Sequence, residues 1–114
     1  MKLVLLALGA LAVGASTGAR ATAQGPDGKA IFEANCKKCH GPLGVPTKDA
    51  KDLYPKVATF ADPKFLASHT VDSIVKVLTH GKGEDMKSFK LKLTPAEMVA
   101  VATYVRTLAP KAHP

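Results

Sequence analysis

The sequence predicts an all-α fold of about four helices. Three observations carry it. Apolar residues recur three and four positions apart in separate stretches around Phe32, Ile74 and Val101. Helix-opening residues stand just ahead of helical stretches, at Asp27, Asp62-Pro63, Thr70 and Thr94-Pro95. No stretch sustains the alternation of a half-buried strand.

The chain has 114 residues, and its beginning reads as a leader rather than as part of the fold. Lys2 supplies a positive charge, residues 3–13 form an uncharged apolar run, and small residues follow through Ala23. That order marks a secretory signal over residues 1–23. Ala21-Thr22-Ala23 places the cut after Ala23, with Ala19-Arg20-Ala21 as a second position. The apolar run is shorter than the roughly 20 residues a spanning helix needs. The remaining residues, 24–114, suffice for one domain with a modest core.

Within that domain, Asp27 caps a helix running towards Cys36, with Ile31, Phe32 and Asn35 spaced to share one face. Residues 41–54 open with Gly41, Pro42, Gly44 and Pro46, a density that predicts a wrapping loop. Asp62-Pro63 starts a short helix ending near Ser68. Thr70 caps the next, which holds Ile74, Val75, Val77 and Leu78 and stops at Gly81. Residues 82–92 read as a polar loop interrupted by Met86, Phe89 and Leu91. Thr94-Pro95-Ala96-Glu97 is a capping box with proline at the first helical position. Met98, Val101, Val105 and Leu108 then recur at helical spacing, and Pro110 closes the element.

Cys36-Lys37-Lys38-Cys39-His40 carries the chemistry. Two cysteines three apart followed by histidine form a c-type haem attachment site. Each thiol adds across one haem vinyl group to give a thioether, and the spacing lets both sulfurs reach neighbouring pyrroles. The next residue, His40, is then held beneath the iron. A thioredoxin-like pair would need a βαβ setting, which is missing. A zinc site would need further ligands, and the chain has 2 cysteines in all. The expected fold therefore wraps about four helices around one covalently attached haem c.

A carrier of electrons needs the iron held on both sides. Met86, Met98, His69, His80 and His113 are the available second ligands. Met98 belongs to the apolar stripe of the last helix, and His113 lies near the terminus. Met86 lies in a loop able to close over the open haem face, and a Met/His pair raises the potential. His80 is its rival and would give bis-histidine ligation. The expected cofactor-binding set is Cys36, Cys39, His40 and Met86, with His40 and Met86 on the metal.

These residues, with their neighbours, resemble the class I cytochrome c family over nearly the whole domain. Gly28-x-x-x-Phe32 precedes the haem motif, and Gly41 follows it. Gly81-Lys82-Gly83 and Met86-Lys87-Ser88-Phe89 resemble the family's glycine-rich turn and ligand loop. Leu93-Thr94-Pro95-x-Glu97 leads into a last helix carrying Tyr104. The resemblance implies that the first and last helices cross closely at Gly28, Phe32, Val101 and Tyr104. It also implies that a proline carbonyl, of Pro46 or Pro55, accepts the second ring N–H of the proximal histidine. Lys87 departs from the family, which commonly has proline after the ligand methionine.

The function implied is that of a soluble monohaem one-electron carrier, not an enzyme. No nucleophile–base pair, second metal site or nucleotide loop accompanies the haem motif. The alternative is a haem enzyme or small-ligand sensor with an open or labile sixth position. The formal charge is +7, and losing Lys2 and Arg20 with the leader leaves +5. Lys37, Lys38, Lys82, Lys87, Lys90 and Lys92 fall near segments expected around the haem, a basic rim suited to acidic redox partners. No aromatic-and-basic motif points to nucleic acid. An exported, periplasmic monomer without a retained membrane segment is expected.

Overall fold

A computed structural model describes residues 25–109 together with Gly9, Ala10 and Gly14. The expected cleavage positions at Ala21 and Ala23, and also Pro110 and His113, lie outside the described residues. Among the described residues six helices follow in order: α1 Gly28–Asn35, α2 Lys37–His40, α3 Lys48–Leu53, α4 Pro63–Ser68, α5 Val71–His80 and α6 Pro95–Arg106. Among the described residues there is no strand, and the one bridge pairs Lys82 with Met86.

The caps explain where the helices begin. The Asp27 carboxylate accepts from the Ala30 N–H at 3.2 Å, satisfying one of the N–H groups left free at a helix start. Asp62 does the same for Lys64 at 2.9 Å, and Thr70 for Ser73 at 3.1 Å. At α6 the box is reciprocal. The Glu97 N–H reaches Thr94 Oγ1 at 3.2 Å, and the Thr94 N–H reaches Glu97 Oε1 at 3.0 Å.

Two short helices fall where the sequence reads as motif or loop. α2 turns once through the Cys-x-x-Cys-His segment itself. α3 occupies the second half of the expected loop at residues 41–54, where Thr47 Oγ1 caps the Ala50 N–H at 3.2 Å. The glycines and prolines of that stretch all precede Thr47, so nothing after it opposes a helix.

The core lies where α1, α5 and α6 meet. Phe32, Ile74, Leu78, Met98, Val101, Ala102 and Val105 are buried there, joined by Phe60 and Leu93 from the connections. α1 crosses α6 at close range. A methyl group on Gly28 would overlap the Ala100 carbonyl and press on Tyr104 Cβ at 3.0 Å, so only glycine admits this approach. Phe32 fills the crossing, with its ring 5.4 Å from Tyr104 and 6.2 Å from Phe60. Asn35, expected on the inward stripe, is exposed. Its amide folds back on the Ile31 carbonyl at 3.0 Å, a bond that a polar side chain makes more readily at the helix end than in the core.

Candidate functional site

The end of α1, the connection at residues 58–60, and helices α4, α5 and α6 leave a cavity between them. Its empty space amounts to about 570 Å³, part of it open to solvent. Phe60, Phe65, Ile74, Val77, Leu78 and Val101 give it apolar walls. Cys36, His40 and Met86 all line it. The same three residues, with Cys39, also line a wider opening of about 1680 Å³ towards solvent, so the two spaces join at these side chains. Cys36, Cys39 and His40 on one side and Met86, far away in sequence, on the other therefore face one crevice.

α2 is what presents the motif. The His40 N–H bonds to the Cys36 carbonyl at 3.0 Å, closing one helical turn over the motif. Both cysteines are free thiols of intermediate exposure, accessible to a group in the crevice yet shielded from bulk water. Burial, reinforced by neighbouring Cys39, pushes the Cys36 thiol up to about 11. Desolvation in the crevice thus favours the neutral thiol over the thiolate.

The His40 ring is fixed at two points. Its Nδ1 lies 3.0 Å from the Ala58 carbonyl, and a carbonyl only accepts, so Nδ1 carries the proton. Nε2 is left with its lone pair. The ring also stacks on Phe60, with centroids 4.2 Å apart and planes inclined by 18°. Burial lowers the His40 pKa from 6.5, against the opposing effect of the Ala58 bond. A neutral, oriented imidazole is the form that ligates metal.

Neither Pro46 nor Pro55 supplies the expected acceptor; Ala58 does. The correction has a physical cause. Any residue contributes a carbonyl, so the acceptor is set by the path of residues 54–60 and not by a side chain. The Val57 N–H bonds to the Tyr54 carbonyl at 2.9 Å, a turn that brings Ala58 back beneath His40.

The other histidines sort by position. His80 is exposed at the end of α5 and lines neither space. His69 does line the inner cavity, but its ring lies flat on Phe65 at 4.1 Å, and its Nδ1 sits 3.1 Å from the Phe65 carbonyl. Met98 is a core residue whose sulfur accepts from Thr79 Oγ1 at 3.5 Å. Met86 is half-buried on the crevice wall.

Lysines surround the wider opening. Lys82, Lys87 and Lys92 line it, as does Lys56, which the sequence did not single out. Lys37, Lys38 and Lys90 are exposed but line neither space. Glu84 and Asp85 interrupt the basic rim.

A haem fits this donor set: paired thiols, a neutral imidazole with a free nitrogen, a thioether and apolar walls meet at one crevice. Comparison with known proteins agrees. Residues 23–105 match the family model described as cytochrome c oxidase, cbb3-type, subunit III. Cytochrome c6 of Leptolyngbya boryana is 39% identical over 84 residues, covering 74% of this chain and 92% of that protein. Cytochrome c6 of Synechocystis is 37% identical over 87 residues, covering 74% and 65%. The cbb3-type oxidase subunit FixP of Azorhizobium caulinodans is 36% identical over 81 residues, which span 26% of that longer protein. Among solved structures, the KustC0563 c-type cytochrome superposes with a TM-score of 0.66 at 35% identity, covering 73% of this chain and 98% of that one. The chain belongs to the cytochrome c family: it has the small all-α fold of that family, binds haem c covalently and serves as an electron carrier.

Proposed function

We propose that Cys36 and Cys39 would tether the haem, that His40 and Met86 would hold its iron, and that the chain passes single electrons between exported redox proteins. The observation that carries this reading is the convergence of Cys36, His40 and Met86 on one apolar crevice. When bound, the haem iron supplies the one-electron step by changing its oxidation state.

The chain's own residues do the rest. Two thioethers would keep the haem attached however much of it so small a domain leaves exposed. Ala58 keeps the His40 ring in one tautomer and one plane, so Nε2 stays aimed at the metal. Phe60, Phe65, Ile74 and Leu78 exclude water from the inner part of the crevice. With His40 and Met86 both holding it, the iron would change charge with little movement of the protein and would offer no position to a substrate. The protein acts as a carrier and not as an enzyme.

The wider opening is the docking side. Lys56, Lys82, Lys87 and Lys92 around it favour an acidic partner and raise the encounter rate. Residues 1–23 direct export to the periplasm and are removed, leaving a monomer. Mass spectrometry of the protein purified from a periplasmic extract tests the removal of residues 1–23 and the covalent tethering of the haem. A chain starting at Gln24 and heavier by one haem supports them, and a chain retaining residues 1–23 or lacking the haem mass contradicts them.

A further inference from the structure

The last carbonyls of a helix have no partner inside it and must find one beyond its end. At α5 the first is met locally, where the Gly81 N–H closes on the Val77 carbonyl at 2.7 Å. The next two are met from the far side of the Met86 loop. The Phe89 N–H bonds to the Leu78 carbonyl at 2.7 Å, and the Ser88 hydroxyl donates to the Thr79 carbonyl at 2.6 Å. The Ser88 oxygen in turn accepts from the Lys90 N–H at 3.1 Å. On the near side, the Lys82 N–H bonds to the Met86 carbonyl at 2.8 Å. Met86 is thus suspended between the turn at Gly81 and a latch at residues 88–89. Ser88 is the side chain in that latch, and Lys87 before it places no covalent limit on φ, as a proline would.

We infer that Ser88 is a positioning residue for Met86: by capping Thr79 at the end of α5, its hydroxyl holds the Met86 sulfur towards the haem iron. The inference rests on the proposed ligation by Met86. Without the latch the loop keeps the Phe89 bond but can swing about residues 87–88, and the sulfur leaves the metal more often. Ser88 is exposed, so its substitution leaves the core intact.

The test uses oxidised holoprotein titrated with imidazole, which competes for the position of the sulfur and is followed by the sulfur-to-iron charge-transfer absorption band. Ser88→Ala tightens imidazole binding about threefold to tenfold, the worth of one hydrogen bond. Ser88→Thr, which keeps the hydroxyl, restores the affinity to within about twofold. Thr103→Ala removes another exposed hydroxyl, bonded to the Val99 carbonyl at 2.8 Å on α6, and leaves the titration unchanged. If Ser88→Ala titrates like the parent protein while Met86→Ala abolishes the band, the role of Ser88 is overturned and ligation by Met86 stands. If the parent protein lacks the band altogether, ligation by Met86 falls and the role of Ser88 falls with it.

Discussion

The imidazole of His40 donates its Nδ1 proton to the backbone carbonyl of Ala58 at 3.0 Å. That bond connects the haem motif to the connection before α4 and determines which ring nitrogen faces the crevice. Pro46 lies outside residues 54–60, whose path sets the acceptor, so Pro46→Ala is expected to leave the axial spectrum and the reduction potential unchanged. NMR of the reduced holoprotein is expected to show a slowly exchanging His40 Nδ1 proton in both proteins. Fast exchange of that proton in the parent protein would show that the bond is not made.

The α1–α6 crossing sets stability. Phe32 is fully buried between Tyr104 and Phe60. Phe32→Ala is expected to cost about 3–5 kcal/mol, because a large ring leaves a cavity that the helices cannot close. Gly28→Ala forces the two backbones apart and is expected to cost about 1–3 kcal/mol or more, the range for overpacking. Urea unfolding of the holoproteins measures both, and a loss under 1 kcal/mol for Phe32→Ala would contradict the packing described.

Acid weakens the fold through His40. Burial holds its pKa below 6.5 in the folded chain, so the unfolded chain takes up a proton first as pH falls. The stability this contributes is full above pH 6.5 and is lost as pH drops towards the lower folded value; the proposed iron ligation, which also needs the neutral ring, would extend the loss in the same direction. Urea midpoints measured between pH 8 and pH 4 should fall on the acid side only. A midpoint that rose with acid would reverse the sign.

Under the proposed docking, the basic residues at the opening set encounter rates. Lys82→Glu and Lys87→Glu are expected to slow electron transfer with an acidic partner severalfold at low salt and to flatten its dependence on ionic strength. Lys48→Glu serves as the control, since Lys48 is paired with Asp52 at 2.7 Å and lines neither space. Equal slowing by all three would place the docking face elsewhere.

Much of this was legible in the sequence because it is written in local signals. Thr94, Pro95 and Glu97 mark the start of α6 by their own chemistry, and Cys36, Cys39 and His40 carry the haem-attachment motif by spacing alone. The crossing at Gly28 and Phe32 came from family resemblance, and the geometry explains it through the Ala100 carbonyl. What stayed hidden depends on the path of the chain. Ala58 acts through a carbonyl that every residue has. α3 is 6 residues long, too short for an apolar period, and its one cue is the cap at Thr47. Lys56 reaches the opening only because residues 54–57 turn there. Leu91 lies between lysines and is 99% exposed, although its apolar character suggested neither inside nor outside.

The pairing of His40 with Met86 across one haem is tested most directly by absorption spectra of oxidised holoprotein in the parent, Met86→Ala, His80→Ala and His69→Ala forms. The charge-transfer band of a sulfur-ligated iron should be present in the parent and in both histidine variants and absent from Met86→Ala, while the haem stays covalently attached in all four. A band that survives in Met86→Ala, or one that disappears in His80→Ala, would contradict it.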